Sequence, residues 1–156
     1  MTGPALTPEE RLADLGLQIP AVAAPVAAYV PAVRSGSHVF TSGQLPMVDG
    51  QLIRTGKVGG EVSAEEAYDC ARQCALNAIA AVHAEIGELS RVKRIVKVVV
   101  FVASTPDFTG QPQVANGVSE LLGEVFAEVG AHARSAVGVA VLPLDAPVEV
   151  ELMVEV

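Results

Sequence analysis

The chain has no tryptophan, two tyrosines and four phenylalanines. A core drawn from it must therefore be built from Val, Ala, Leu and Ile. Stacking platforms for single-stranded nucleic acid are scarce for the same reason. Basic residues are also few, 10 against 18 acidic, for a net charge of −8. That balance argues against a nucleic-acid footprint, which needs clustered Lys and Arg. The densest basic cluster, Arg91, Lys93, Arg94 and Lys97, reads as a solvated lead-in to a strand. Cysteine is limited to Cys70 and Cys74. Their i, i+4 spacing on an expected helix suits a disulfide poorly, and two thiols alone do not make a zinc site. They read as small buried hydrophobes. No apolar run reaches the roughly 18 residues of a membrane helix, because Pro20, Pro25 and Pro31 interrupt the uncharged stretch from Ile19 to Val33. The N-terminus shows neither the basic nor the apolar region of a signal peptide. Two free thiols and no such signal suggest a reducing, cytoplasmic setting.

What is present is apolar: 51% of 156 residues, enough for one domain with a substantial core. Thr7-Pro8-Glu9-Glu10 reads as an N-cap, a proline at N1 and acids in the first turn of a short helix reaching about Leu15. Residues 1–28 form a leader containing that helix. The segment from Leu17 to Pro31 is Ala- and Pro-rich and is expected to be extended. Residues 29–156 form the main domain. Tyr29–Arg34 and His38–Gly43 read as a hairpin around Ser35-Gly36-Ser37, with Pro31 marking an edge. Gln44–Gly60 is loop-like, with Asp49-Gly50 as a turn. Ser63-Ala64-Glu65-Glu66 is a capping box opening a helix to Ile86, with Gly87 at its C′ position. Ile95–Val102 is a near-continuous apolar run, expected as a central strand buried on both faces. Gln113–Val129 carries an apolar stripe of Val114, Val118, Leu121, Leu122, Val125, Phe126 and Val129, ended by Gly130.

The last two strands carry the candidate site. Counting with a period of two, Ser135, Val137, Val139 and Val141 share one face of the first and are expected to meet the core. Arg134, Ala136, Gly138 and Ala140 share the other. In the second strand Val148, Val150, Leu152, Val154 and Val156 are expected inward, and Glu149, Glu151, Met153 and Glu155 outward. Arg134, Glu149 and Glu151 are thereby expected on one open sheet face. The order β-β-α-β-α-β-β predicts an α+β two-layer sandwich, a mixed sheet covered on one face by two helices. The other face has no helix to cover it, so a further copy of the chain is expected there.

These residues resemble the RidA/YjgF family of imine deaminases, also described as L-PSP endoribonuclease-like. The match is carried by Tyr29-Val30, Phe40-Thr41-Ser42-Gly43-Gln44-Leu45-Pro46, Gly60-Glu61-Val62, Val99–Val102 with Asp107-Phe108, Asn116, and Ala133-Arg134-Ser135 through Leu142-Pro143 to Val148-Glu149-Val150-Glu151. The resemblance implies a chorismate-mutase-like homotrimer with sites in clefts between subunits. It implies hydrolysis of small 2-imino or enamino acids to 2-keto acids and ammonia without a cofactor. It casts Arg134 as the clamp on a substrate carboxylate, a contact suited to a planar bidentate fork. It casts Glu149 as the holder or activator of water, Tyr29 and Ser42 as pocket lining, and Asn116 as a helix residue beside the cleft.

Archetypal members carry a cysteine two residues after the arginine. Here Ala136 stands there, leaving a roomier pocket without a thiol. The chain also has a longer leader, a longer loop after Gln44-Leu45-Pro46 and about three extra residues including Gly110-Gln111-Pro112, as in a divergent subfamily. Each residue has a plainer reading. Arg134 can pair with Glu149 or Glu151 at an interface, Glu149 can be a solvated strand residue, Ser42 can bond backbone in a bend, and Tyr29 can simply pack. His38, His83 and His132 show no metal or triad spacing, though His132 is near enough to Arg134 to touch a pocket. A trimer that binds a small carboxylate without turning it over is the alternative function. An endoribonuclease fits the charge least well.

Overall fold

The computed structural model describes residues 3–22 and 27–156. Ten elements follow one another: α1 (Pro8–Asp14), β1 (Ala32–Ser35), β2 (His38–Thr41), β3 (Met47–Val48), β4 (Gln51–Leu52), α2 (Ala64–Ile86), β5 (Arg94–Ala103), α3 (Gln111–Phe126), β6 (Ala133–Val139) and β7 (Val148–Glu155). The main sheet has the strand order β1-β2-β7-β5-β6. β5 and β6 are parallel, and the other pairings are antiparallel. Its helix-bearing side packs α2 and α3 against Val98, Val100, Val102, Val148, Val150, Leu152 and Val154, all buried. This is the expected α+β two-layer sandwich with a mixed sheet.

The helices begin where the capping chemistry directs. Thr7 and Ser63 each accept from the backbone N–H of the glutamate at N3, while that glutamate accepts from the cap's own N–H. Gly87 closes α2 with φ +85°, a left-handed conformation that costs glycine no Cβ clash. The short helix α1 is tied to the body. Leu12 is 1% exposed within the core cluster, and Glu9 Oε1 accepts from the Leu89 N–H at 2.6 Å. The extended reading of 17–31 falls partly on residues 23–26, which lie outside the described residues.

Small residues set the helix packing. Ala67, Cys70, Ala71, Cys74, Ala78 and Val82 are all buried on α2. Burial pushes the Cys70 thiol up to about 11 and the Cys74 thiol well above its ordinary value, so both are inert packing groups. At Gly117 on α3 a Cβ would overlap the Tyr68 carbonyl oxygen of α2, a backbone atom that cannot swing aside. Gly117→Ala is expected to push the helices apart and destabilise the fold by about 1–3 kcal/mol. A urea or thermal midpoint equal to wild type would refute this close approach.

Several expectations shift. The first strand begins at Ala32, three residues after Tyr29, because Pro31 has no N–H to give a ladder. The second ends at Thr41. Part of the expected loop is a two-residue hairpin, β3–β4, whose corner is Asp49-Gly50 with φ +52° and +80°. α3 runs from Gln111 to Phe126 and ends in a 3-10 turn, Ala127–Gly130, which leaves Val129 37% exposed rather than on the buried stripe. β5 is central, between β7 and β6, but alternates in burial. Its second face, with Val99 and Phe101, is only half-buried in a single chain.

The largest correction concerns β6. The core meets Ala136, not the valines, and Val137 and Val141 are 45% and 68% exposed. Register explains the reversal. Arg134 pairs with Val98 and Ala136 with Val100, both buried on the helix side. Small residues lie where α3 packs, and the valines face the side without helices.

Candidate active site

Arg134 and Glu149 therefore do not share a face. Glu149 pairs with Phe101, which pairs with Val137 on the open side. Arg134 points to the helix side, where Nη1 donates to Asn116 Oδ1 at 2.9 Å and to Ser119 Oγ at 3.1 Å. Within one protomer the two residues are separated by two strand spacings, about 10 Å, and by three residues along the strand, a further ~10 Å. They also lie on opposite faces. The expected guanidinium–carboxylate constellation on one face is not formed in a single chain.

The six expected site residues fall into two groups. The first is Arg134, Asn116 and Ala136. Asn116 and Ser119 lie three residues apart on α3, so both oxygens face the start of β6. They occupy Nη1, while Nη2 donates more weakly to the Pro112 carbonyl at 3.4 Å. Nε and the second Nη2 proton have no partner among the described residues. Nε and Nη2 flank the side-on edge of the guanidinium, the geometry a carboxylate accepts in bidentate fashion. No carboxylate of the described residues lies within ion-pair distance of Arg134; only Arg54, Lys57 and Arg72 have acidic partners among them. A half-buried cation held only by neutral oxygens, in a chain of net charge −8, has room for an anion from outside. Ala136 is on the same face, one strand position beyond, packed against the core.

The second group is Glu149, Ser42 and Tyr29. Glu149 lies over the backbone of Gly43, where any Cβ would run into its carboxylate. The glycine leaves the space that the acid fills. Gln44 and Val150 exchange backbone hydrogen bonds beside it, at 2.7 and 3.0 Å, which ties the segment after β2 to β7. Ser42 Oγ donates to the Val30 carbonyl at 2.6 Å, bringing the chain after Tyr29 alongside. This bond is the plainer of the two roles read for Ser42. Tyr29 is 49% exposed. Burial, and then the charge of Glu151, push the Glu149 carboxyl above the ordinary carboxylate range. No hydrogen bond or ion pair holds that carboxylate among the described residues.

Ser119 was not legible as a site residue, although its i, i+3 relation to Asn116 is a usable signal. His132 is brought in too. Its Nε2 lies 2.8 Å from Ser119 Oγ and its Nδ1 2.6 Å from the Gly130 carbonyl oxygen. Among the described residues, no group of three His, Cys, Asp or Glu is placed to hold a metal ion, and no helix is long and apolar enough to cross a membrane.

In class this is a two-layer α+β sandwich with one uncovered sheet face and an anion-ready arginine at the edge strand. Residues 9–156 match the family described as "YjgF/chorismate mutase-like, putative endoribonuclease". The chain belongs to this YjgF/RidA family. It is 50% identical over 145 residues to Protein TCP17 of Trypanosoma cruzi, covering 92% of this chain and 91% of that protein. It is 39% identical over 133 residues to the 2-iminobutanoate/2-iminopropanoate deaminase of Salmonella typhimurium, covering 82% and 87%. Among solved structures, Atu1372 of Agrobacterium tumefaciens, a protein of unknown function, superposes with a TM-score of 0.90 at 44% identity, covering 96% and 92%. TdcF of Escherichia coli, solved with bound serine, gives 0.66 at 30%, covering 87% and 93%.

Proposed function

We propose that this protein hydrolyses small 2-imino or enamino acids to 2-keto acids and ammonia, in clefts formed between subunits of a homotrimer. Arg134 clamps the substrate carboxylate through its open Nε/Nη2 edge. Glu149 of a neighbouring copy holds the water that adds to the imine carbon. Tyr29 and Ser42 line the cleft on the Glu149 side, and Asn116 and Ala136 on the Arg134 side. The observation that carries this reading is the half-buried guanidinium with neutral partners and one free edge. The opposite faces of Arg134 and Glu149 support a cleft between two copies, because one copy cannot aim both at a single small molecule. The deaminase relative and the serine bound to TdcF support the substrate class. The chemistry is modest: one water adds, the C=N bond breaks and ammonia leaves. The imine carbon is already electrophilic, so positioning it beside a water supplies much of the acceleration.

The test generates 2-iminobutanoate with an amino-acid dehydratase and follows release of 2-oxobutanoate. Wild-type protein is expected to accelerate release, and light scattering to give three times the mass of one chain. No acceleration by pure protein would overturn the hydrolase reading, and binding of 2-oxobutanoate without turnover would make the protein a binder of small carboxylates. A single-chain mass would overturn the inter-subunit cleft.

A further inference from the structure

Behind Arg134 runs a chain of hydrogen bonds whose protons can be assigned by elimination. The Gly130 carbonyl only accepts, so His132 Nδ1 carries the proton across the 2.6 Å contact. In the neutral imidazole Nε2 is then a lone pair, and at 2.8 Å it accepts from the Ser119 hydroxyl. With its proton committed to the histidine, Ser119 Oγ presents lone pairs to Arg134 Nη1, a group that only donates, at 3.1 Å. Every donor and acceptor in the series is matched, and the direction is fixed at both ends by groups that cannot reverse.

We propose that Ser119 and His132 are positioning residues for Arg134, acting as one relay that turns a rotatable hydroxyl into a fixed acceptor and keeps the Nε/Nη2 edge free for a carboxylate. The inference rests on the reading of Arg134 as the carboxylate clamp. Without His132 the Ser119 hydroxyl is free to rotate its proton toward the guanidinium, and Nη1 loses a directed partner. The arginine then samples rotamers that a bound carboxylate must select against, a cost that falls on binding. The carboxylate does not react, so it is held alike in ground and transition states. Its loss therefore raises KM and leaves kcat nearly unchanged. A merely structural role for the pair would instead lower stability and spread over both constants.

The experiment measures the Kd of 2-oxobutanoate by calorimetry, and kcat and KM for 2-iminobutanoate, across a small variant set. Ser119→Ala, His132→Ala and His132→Asn are each expected to weaken 2-oxobutanoate about five- to tenfold, the scale of one ordinary hydrogen bond, with kcat within about twofold. Asparagine is the informative replacement because its amide keeps the bond to Gly130 and removes the acceptor at Nε2. The double variant Ser119→Ala/His132→Ala is expected to match either single one, as members of one relay do. Ser119→Thr, which keeps the hydroxyl, restores wild-type affinity. In the ligand-free protein, long-range 15N–1H spectra are expected to show His132 as the Nδ1–H tautomer. An Nε2–H tautomer, additive losses in the double variant, or an unchanged Kd in Ser119→Ala overturns the relay. Arg134→Ala separates the two readings. If it abolishes 2-oxobutanoate binding while the relay variants bind as wild type, only the relay falls. If Arg134→Ala itself binds normally, the clamp falls and the relay with it.

Discussion

Arg134→Ala is expected to remove the acceleration of 2-oxobutanoate release, with a loss on the order of 100-fold or more in kcat/KM. Two charge-assisted hydrogen bonds to the substrate carboxylate disappear together. Arg134→Lys is expected to recover only a small part. An ammonium is a point donor. It cannot bond Asn116 Oδ1 and Ser119 Oγ and still offer a planar two-pronged edge. Stability should move little in either variant, because Arg134 anchors no ion pair and its neutral partners are within reach of water. Thermal melts of the variants therefore separate loss of the clamp from loss of the fold. A lysine variant as active as wild type would show that charge alone, not the fork, serves the substrate.

The two last strands differ in how plainly the sequence encodes their faces. The alternation in β7 is unambiguous, Val148, Val150, Leu152 and Val154 against Glu149, Glu151, Met153 and Glu155, and each set lies on the face expected. β6 has no such contrast. Its two faces are Arg134, Ala136, Gly138 and Ser135, Val137, Val139. Periodicity assigns the more apolar set to the core. But α3 needs small residues beneath it, and the valines are left for a face that a single chain cannot cover. Hydrophobicity alone cannot separate a core from an unpaired interface. The same ambiguity put Arg134 and Glu149 on one face, whereas strand pairing sends them to opposite ones. The N-cap at Thr7 and the capping box at Ser63 are legible because capping is local chemistry within four residues. The Ser119–His132 contact spans 13 residues between a helix and the turn before a strand. Periodicity carries no information about that distance. Asn116 was recognised through the family resemblance, and the structure adds what it does: it takes one of the two Nη1 protons.

Glu149→Gln is expected to lower kcat by a factor on the order of 10² to 10⁴ while KM changes little. Glutamine keeps the shape over Gly43 but cannot accept a proton from the attacking water. A base must be ionised to act, and burial together with the charge of Glu151 holds Glu149 protonated to higher pH than an ordinary carboxyl. The acid limb of the wild-type rate should therefore rise through that elevated pKa, and the limb should vanish in the glutamine variant. The stability consequence has the opposite sign to the activity. A carboxyl whose folded pKa is raised binds its proton more tightly in the folded than in the unfolded chain. Its favourable contribution is complete below the ordinary carboxylate pKa of about 4.3 and is lost as pH rises through the elevated value. At neutral pH the ionised Glu149 is thus a liability, so the glutamine variant should melt above wild type there, and the gap should close in acid. A residue kept for structure would give lower stability on replacement. A residue kept for a water molecule gives a more stable, inactive protein, and melts at neutral and acid pH beside a pH–rate profile distinguish the two.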